Sequence, residues 1–271
     1  MFDFVFVVLT YRNYEDLKFF FEKNNVQNSK VIVVNSFFDE ESRLCFEKIA
    51  NENNADFINV ENKGYGYGNN RGVEFAVKNY KFKYLIISNA DVEIIHFNVD
   101  FLLSENLNNI YAPEIKTLSE KHQNPFIVNY SYFYRWLYYV ALKKNLYFLK
   151  YIVYISNGII RRLFIKIVKL FKIRKSNIYS SHGSFLIIGK EALSKISPLY
   201  YEEMFLYNEE FFLARKAMLH NVKLFYIPFD VSIKHFEDGS QDFSNKKSLE
   251  YSKDSYIKYF EYFKMEYEKR K

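Results

Sequence analysis

Four short runs rich in apolar, β-branched and aromatic residues, Phe4 to Leu9, Lys30 to Val34, Asp56 to Val60 and Tyr84 to Val92, alternate with stretches of helical character. Asn13 stands as an N-cap with Glu15 and Asp16 behind it, and the helix it opens runs to about Lys23 with Leu17, Phe20 and Phe21 on its buried face. Asp39, Glu40 and Glu41 open a second helix that runs to about Asn51, and a third is predicted from about Asn69 to Asn79. Strands alternating with helices of about 10 to 14 residues imply βαβ units, hence an α/β fold with a mostly parallel sheet covered by helices on both faces. Ligands of such sheets bind beyond the carboxyl ends of the strands. Thr10, Asn35, a glycine-rich loop and Asp91 all fall at those ends, which predicts one crevice.

The glycine loop runs from Glu61 to Gly72 and holds Gly64, Gly66, Gly68 and Gly72. Glycines cluster where the backbone takes φ > 0 or approaches a ligand closely, and they also mark plain turns between strand and helix. Neither a Gly-x-Gly-x-x-Gly after the first strand nor a Walker lysine is present. Asp91, where the fourth run ends, has two readings as well: an Asp after a strand can cap the next turn, or it can serve a ligand.

The motifs in order resemble family 2 glycosyltransferases, especially the rhamnosyltransferase-like branch. The residues that carry the resemblance are Thr10-Tyr11 after the first strand, Asn62-Lys63-Gly64-Tyr65-Gly66-Tyr67-Gly68-Asn69-Asn70 before a helix, and Ser88-Asn89-Ala90-Asp91-Val92 after the fourth strand. Farther on, Phe205-Leu206-Tyr207-Asn208-Glu209-Glu210 resembles Phe-Leu-Tyr-x-Glu-Asp, and His235-Phe236-Glu237-Asp238-Gly239-Ser240 resembles an ending in His followed by Gly-Ser. The resemblance implies the GT-A nucleotide-diphospho-sugar transferase fold and a nucleoside-diphosphate sugar, UDP- or dTDP-linked, as donor. It implies donor contacts from Thr10, Tyr11, Asn35, Lys63, Gly64, Gly68, Asn69, Asn89 and Asp91, and a divalent cation, Mn²⁺ or Mg²⁺, on Asp91 with His235 joining. His182, Gly183, Ser184 and Glu209 fall to the acceptor or sugar pocket, and Glu210 to the catalytic base. Two departures stand out: Asn89 replaces a frequent first acid, so the metal is held more weakly or becomes optional, and Asn35-Ser36 stands where Asp-Asn often reads the base.

A carboxylate suits the position of Glu210. Inverting transfer needs an acceptor hydroxyl to attack the anomeric carbon from the face opposite the leaving nucleotide while a base takes its proton, a contribution of roughly 100-fold to 10,000-fold. The leaving diphosphate gains charge, which a cation offsets. Without the resemblance, Glu209 and Glu210 read equally well as an acidic helix start. The acceptor expected is a hydroxyl of a bacterial surface glycan or of a lipid-linked sugar. Other functions remain open: a GT-A-fold binding or scaffold protein with a decayed site, or a basic peripheral membrane module.

From about Phe97 to Ser180 the alternation breaks down, and within it His122-Gln123-Asn124-Pro125 can form an ordered loop lining the site. Between Lys121 and Lys190 there are 13 Lys and Arg and no Asp or Glu, while the other 201 residues carry 25 basic against 32 acidic. Within it, Arg161 to Lys175 sets Phe164, Ile167, Val168 and Phe171 on one helical face and Arg162, Lys166, Lys169 and Lys172 on another. Such a helix can lie on an anionic membrane, each Lys or Arg contributing about 1 kcal/mol, or it can pack on the protein with its charges solvated. Nucleic acid is the poorest partner, because the remaining surface is acidic and repels a polyanion.

The expected organisation is a nucleotide-sugar half at 1–96, a basic aromatic helical insertion at 97–180 that faces membrane or acceptor (contact through 130–175), an acceptor half at 181–244, and a C-terminal helix at 245–271. That helix carries an aromatic stripe of Tyr251, Tyr256, Tyr259, Phe260 and Phe263, which packs back or mediates association. Ser181 to Ile188 reads as a strand entered through a tight turn, and Lys223 to Ile227 and Val231 to Phe236 as two short strands around Pro228. The lone cysteine, Cys45, excludes an intramolecular disulfide and a cysteine-rich zinc site. The first residues read as a strand and not a signal peptide, and no run of 18 apolar residues predicts a spanning helix. The expected location is the cytoplasm, with peripheral attachment to the cytosolic face of the membrane.

Overall fold

The computed structural model describes residues 1–236 and 246–269, with the side chains of the last helix described as far as residue 265. The first half runs β1 (Phe2–Thr10), α1 (Tyr14–Lys23), β2 (Ser29–Ser36), α2 (Glu40–Glu52), β3 (Asp56–Val60), α3 (Tyr65–Asn79), β4 (Phe82–Asn89) and β5 (Val92–Phe97). Then come α4 (Val99–Ser104), β6 (Asn109–Thr117), α5 (Tyr132–Lys143), α6 (Tyr147–Leu170), β7 (Ser176–Ile178), β8 (Phe185–Gly189), α7 (Lys190–Ile196), α8 (Glu209–Leu219), β9 (Lys223–His235) and α9 (Lys246–Lys269).

Among the described residues the strands form one sheet in the order β3-β2-β1-β4-β8-β6-β9-β5, with β7 on the edge of β9. The first four are parallel, β8 enters antiparallel between β4 and β6, and β6 and β9 are again parallel. Alternation along β1 divides the core: Val5 and Val7 meet Val73 and Ala76 of α3 on one face. Phe4, Phe6 and Val8 meet Leu17 and Phe20 of α1 on the other. A third cluster, around Phe211, Phe212, Tyr256 and Tyr259, clamps α9 to α8, so the C-terminal aromatic stripe packs back on the body.

Several expectations need correction. The third helix begins at Tyr65, not near Asn69, so most of the glycine loop is the first turns of α3. There Gly68 and Gly72 bring the helix against Leu9 and Val7 of β1, where any Cβ would overlap those side chains. Only Gly64 needs a left-handed backbone, at φ 106°. β4 stops at Asn89, and Asp91 sits in the bend before β5. β8 starts at Phe185, leaving His182-Gly183-Ser184 in the turn. The two strands expected around Pro228 are one strand, β9, whose pairing with β6 jumps register between Pro113 and Glu114 of the partner. A proline removes a ladder donor and is accommodated at such bulges.

The stretch 97–180 supplies more than helices: β6 lies in the middle of the sheet, between β8 and β9. Its helical part is α5 and α6, and α6 buries Val153, Ile165 and Val168. The face that carries Phe164, Ile167, Val168 and Phe171 is split, because Val168 is buried but Ile167 and Phe171 are exposed. Among the described residues no helix is long and apolar enough to cross a membrane.

Candidate active site

The carboxyl ends of β1, β2 and β4 carry the expected donor residues, and the structure sorts them. Thr10 is buried and its Oγ1 donates to the Val34 carbonyl at 3.2 Å, tying β1 to β2. Asn35 is also buried; its Nδ2 donates to Asn59 Oδ1 at 2.7 Å, and its own Oδ1 has no protein partner among the described residues. Asn69 turns inward, its Nδ2 bonded to the Tyr65 carbonyl at 3.0 Å. Lys63 stands in solvent, paired with Glu61 at 2.6 Å. Tyr11 is exposed and meets Phe38 edge-on at 5.7 Å, while the Arg12 guanidinium lies 4.0 Å from the Phe38 ring centre. Arg12 and Phe38 were missed, since an isolated cation and an aromatic loop residue carry no motif.

Asn89, Asp91, His182 and His235 do converge. The Asp91 Oδ1 lies 3.3 Å from Nε2 of the fully buried His235, and Asn89 Nδ2 lies 3.4 Å from the same nitrogen. On the far side of the ring, Nδ1 meets Gln123 Oε1 at 2.9 Å. With Nδ1–H donating to that oxygen, Nε2 is an acceptor turned to a carboxylate, an arrangement a cation relieves. Asp91 is pinned by the Phe236 N–H, which donates to its carbonyl at 2.8 Å. Burial, and then the charge of Asp91, raises the Asp16 carboxyl. The remainder of the His235 to Ser240 motif lies outside the described residues.

These residues fit a divalent cation held by two protein ligands, Asp91 and His235, with a diphosphate completing the coordination. Among the described residues no group of three or more His, Cys, Asp or Glu comes together, and Asn89 stands beside the Asp91–His235 pair.

His182 bridges to the acceptor side. Its Nδ1 accepts from the Ser184 N–H at 3.2 Å and lies 2.9 Å from Ser184 Oγ, and its own N–H donates to Asn124 Oδ1 at 2.7 Å. The ring centre is 5.7 Å from that of His235. Burial, then the neighbouring His235 and Arg161, push its pKa down to about 3, so the ring is neutral. Arg161 was missed by the sequence reading. It lies on α6 one turn after Asn157, whose Nδ2 donates to the Phe126 carbonyl at 3.3 Å, and no ion-pair partner of Arg161 is present among the described residues.

Next to His182 comes Gly183, whose carbonyl accepts from Tyr65 Oη at 2.8 Å. A methyl group on Gly183 would reach 3.2 Å from Glu210 Oε1, so the absent side chain makes room for that carboxylate. Glu210 opens α8 beside Glu209, and the two differ. Glu209 is buried with an Oε1 that has no partner among the described residues, and burial, then the charge of Glu210, hold its carboxyl well above the ordinary range. Glu210 is partly open; burial raises it too, opposed by backbone N–H groups that include Gly183. The two carboxyls interact, so their titration belongs to the pair, with both raised by burial and Glu209 raised further by the charge of Glu210.

The loop before α8 is set by backbone conformations that non-glycine residues seldom adopt, φ 70° at Tyr207 and 68° at Asn208. α9 holds it there: Asn208 Nδ2 donates to the Ser252 carbonyl at 2.7 Å and Ser255 Oγ to the Leu206 carbonyl at 2.9 Å. Gly64 closes the other side, since the Tyr65 N–H donates to the Phe205 carbonyl at 2.9 Å and a Cβ at Gly64 would strike that backbone.

The fold is the GT-A type, a mixed α/β sheet with helices around it. Two solved structures share it: a GalNAc-T7 with UDP, GalNAc and Mn²⁺, at 12% identity and TM-score 0.58 over 88% of this chain and 44% of that one; and the TarS of S. aureus, at 11% identity and TM-score 0.53 over 89% of this chain and 38% of that one. The chain thus spans less than half the length of either. No family model matches the chain, and no curated protein matches it by sequence.

Proposed function

We propose that the protein is an inverting glycosyltransferase of the rhamnosyltransferase-like kind. It moves a sugar from a UDP- or dTDP-linked donor to a hydroxyl of a bacterial surface glycan or lipid-linked acceptor at the cytosolic face of the membrane. The observation that carries this reading is the convergence of two unlike features: the Asp91–His235 pair at 3.3 Å, suited to a cation and diphosphate, and the Glu210 carboxylate beside Gly183, next to His182, whose ring lies 5.7 Å from that of His235. The GT-A fold, and UDP with Mn²⁺ in one structure that shares it, support the same direction.

In this reading Glu210 takes the proton of the acceptor hydroxyl as its oxygen bonds to the anomeric carbon. The bond from that carbon to the diphosphate oxygen breaks, and its electron pair leaves with the nucleotide. A divalent cation, when bound, neutralises charge on the departing diphosphate. Arg161 is placed to add to that neutralisation from α6, while the neutral His182 offers a hydrogen bond without a competing charge. Glu209, whose carboxyl burial raises toward its neutral form, sets less negative charge against the donor.

The test is turnover of a donor panel with Mn²⁺ or Mg²⁺, alongside calorimetric binding of UDP and dTDP. Wild type should bind one nucleotide and transfer or hydrolyse its sugar. Glu210→Gln should lower turnover by about 100-fold to 10,000-fold with donor affinity kept. A chain that binds no nucleotide, or a Glu210→Gln variant with full turnover, would refute the assignment.

A further inference from the structure

Helix α6 is apolar on the side that faces away from the protein. Phe148, Ile152, Ile155, Ile159 and Leu163 recur at spacings of three and four residues and form a single stripe, 40 to 74% exposed, which meets Lys166 before it reaches the exposed Leu170. The inward face, through Val153, Ile165 and Val168, is already buried against the body. A helix apolar on both sides is unfinished in water, and an apolar stripe running about 23 Å from Phe148 to Leu163 exceeds the scattered hydrophobics ordinary for a monomer surface. Trp136 and Phe133 of α5, also exposed, extend it.

The charge around the stripe says what covers it. Lys143, Lys144 and Lys150 stand at one end and Arg162, Lys166, Lys169 and Lys172 at the other, and no Asp or Glu occurs between residues 121 and 190. Arg162, Lys166 and Lys169, with His122, Ile165 and Leu170, line an open cleft of about 510 Å³. Lys169 is partly balanced by the buried Glu114, at 3.3 Å, whereas Arg162 and Lys166 have no ion-pair partner among the described residues. A protein partner would need an acidic apolar surface of matching length; a bilayer with anionic headgroups presents both features at once.

We propose that α5 and α6 dock the protein flat on an anionic membrane, the apolar stripe entering the headgroup layer and the cleft between His122, Arg162, Lys166 and Lys169 receiving a lipid phosphate. His122 precedes Gln123, whose side chain meets His235, so the docked cleft lies one residue from the candidate active site. The proposal stands on the surface alone and does not depend on the sugar-transfer reading.

Cosedimentation tests it, using the full chain with vesicles of phosphatidylcholine alone and of phosphatidylcholine mixed with phosphatidylglycerol. Binding should favour the anionic vesicles by at least about tenfold and weaken as salt is raised. The exposed-site variant Ile159→Ser/Leu163→Ser/Leu170→Ser should lose it, and Arg162→Glu/Lys166→Glu should abolish the preference for anionic lipid, with circular dichroism and Tm unchanged. Equal binding by wild type and both variants, or none to anionic vesicles, would overturn the proposal. A stable dimer by light scattering that the serine variant dissociates, without vesicle binding, would also overturn it, giving the stripe to a second copy of the chain.

Discussion

Glu209→Gln separates the two neighbouring acids by their effect on stability. Glu209 is buried without a partner for Oε1, and its carboxyl is raised by burial first and by Glu210 second. In the unfolded chain it titrates near the ordinary 4.5. Below that value both states are protonated and the contribution of the bound proton is complete. As pH rises from there toward the raised folded value, only the folded state keeps the proton, and stability falls by about 1.4 kcal/mol per pH unit. Gln has nearly the same shape and no proton to lose, so the variant should overtake wild type progressively as pH rises from about 4.5 through the neutral range, by no more than about 1.4 kcal/mol per pH unit. For a chain of this size each kcal/mol moves Tm by about 2 to 4 °C. Urea unfolding across that range reads the gap directly. Parallel curves for the two proteins would show that Glu209 ionises normally, and the division of roles between Glu209 and Glu210 would fall with it.

Glu210 acts on rate instead. Its carboxyl is also raised, so the acid limb of kcat/KM should lie above the ordinary glutamate range, activity being lost as pH falls through it; a limb at or below about 4.3 would count against it. Asp91→Ala should remove the effect of Mn²⁺ on UDP binding measured by calorimetry, and retention of that effect would place the cation elsewhere. Gly72→Ala sets a methyl against Val7 and Val34 and should cost about 1 to 3 kcal/mol in urea unfolding without altering nucleotide affinity per folded molecule. Arg174→Ala strips a two-pronged partner from the buried Asp230, leaving its carboxylate with Asn98 among the described residues, and should lower stability in urea unfolding; an unchanged midpoint would show that solvent replaces the pair.

What could be read from the sequence was what repeats locally. The strand and helix signals of residues 2–60 predict β1 to β3 with ends displaced by a few residues, because caps such as Asn13 and Asp39 act within one turn and both accept hydrogen bonds as expected. β6 was invisible, since Pro113 and Glu114 interrupt its apolar run, and both are accommodated by contacts outside the strand, with β9 and its Tyr226, with Lys169, and with His122 and Asn124. The site shows the same division. Asp91, Glu210 and His235 stand in motifs, and the run His122-Gln123-Asn124-Pro125 lines the site as the sequence suggests, with Gln123 on His235 and Asn124 on His182, whereas Arg161 owes its place to one helix face that no local pattern specifies. The glycines misled for a related reason: Gly68 and Gly72 serve helix-to-strand contact, which in a sequence is indistinguishable from close approach to a ligand.

The two faces of α6 join these findings. Its inward side gives Asn157 and Arg161 to the wall of the crevice, where the segment from His122 to Phe126 also supplies Gln123 to His235 and Asn124 to His182. Its outward side is the apolar stripe with the cationic cleft at one end. A helix constrained on one face by the site and docked on lipid by the other holds the crevice at a fixed height above the headgroups. An acceptor carried on a lipid phosphate would then meet Glu210 without the full entropy of a search in three dimensions. Free acceptors of the same sugar sequence would forgo that gain, so if both proposals hold, vesicle-borne acceptor should outcompete soluble acceptor at equal concentration, and the Ile159→Ser/Leu163→Ser/Leu170→Ser variant should erase the difference while its turnover of soluble acceptor stays at the wild-type value.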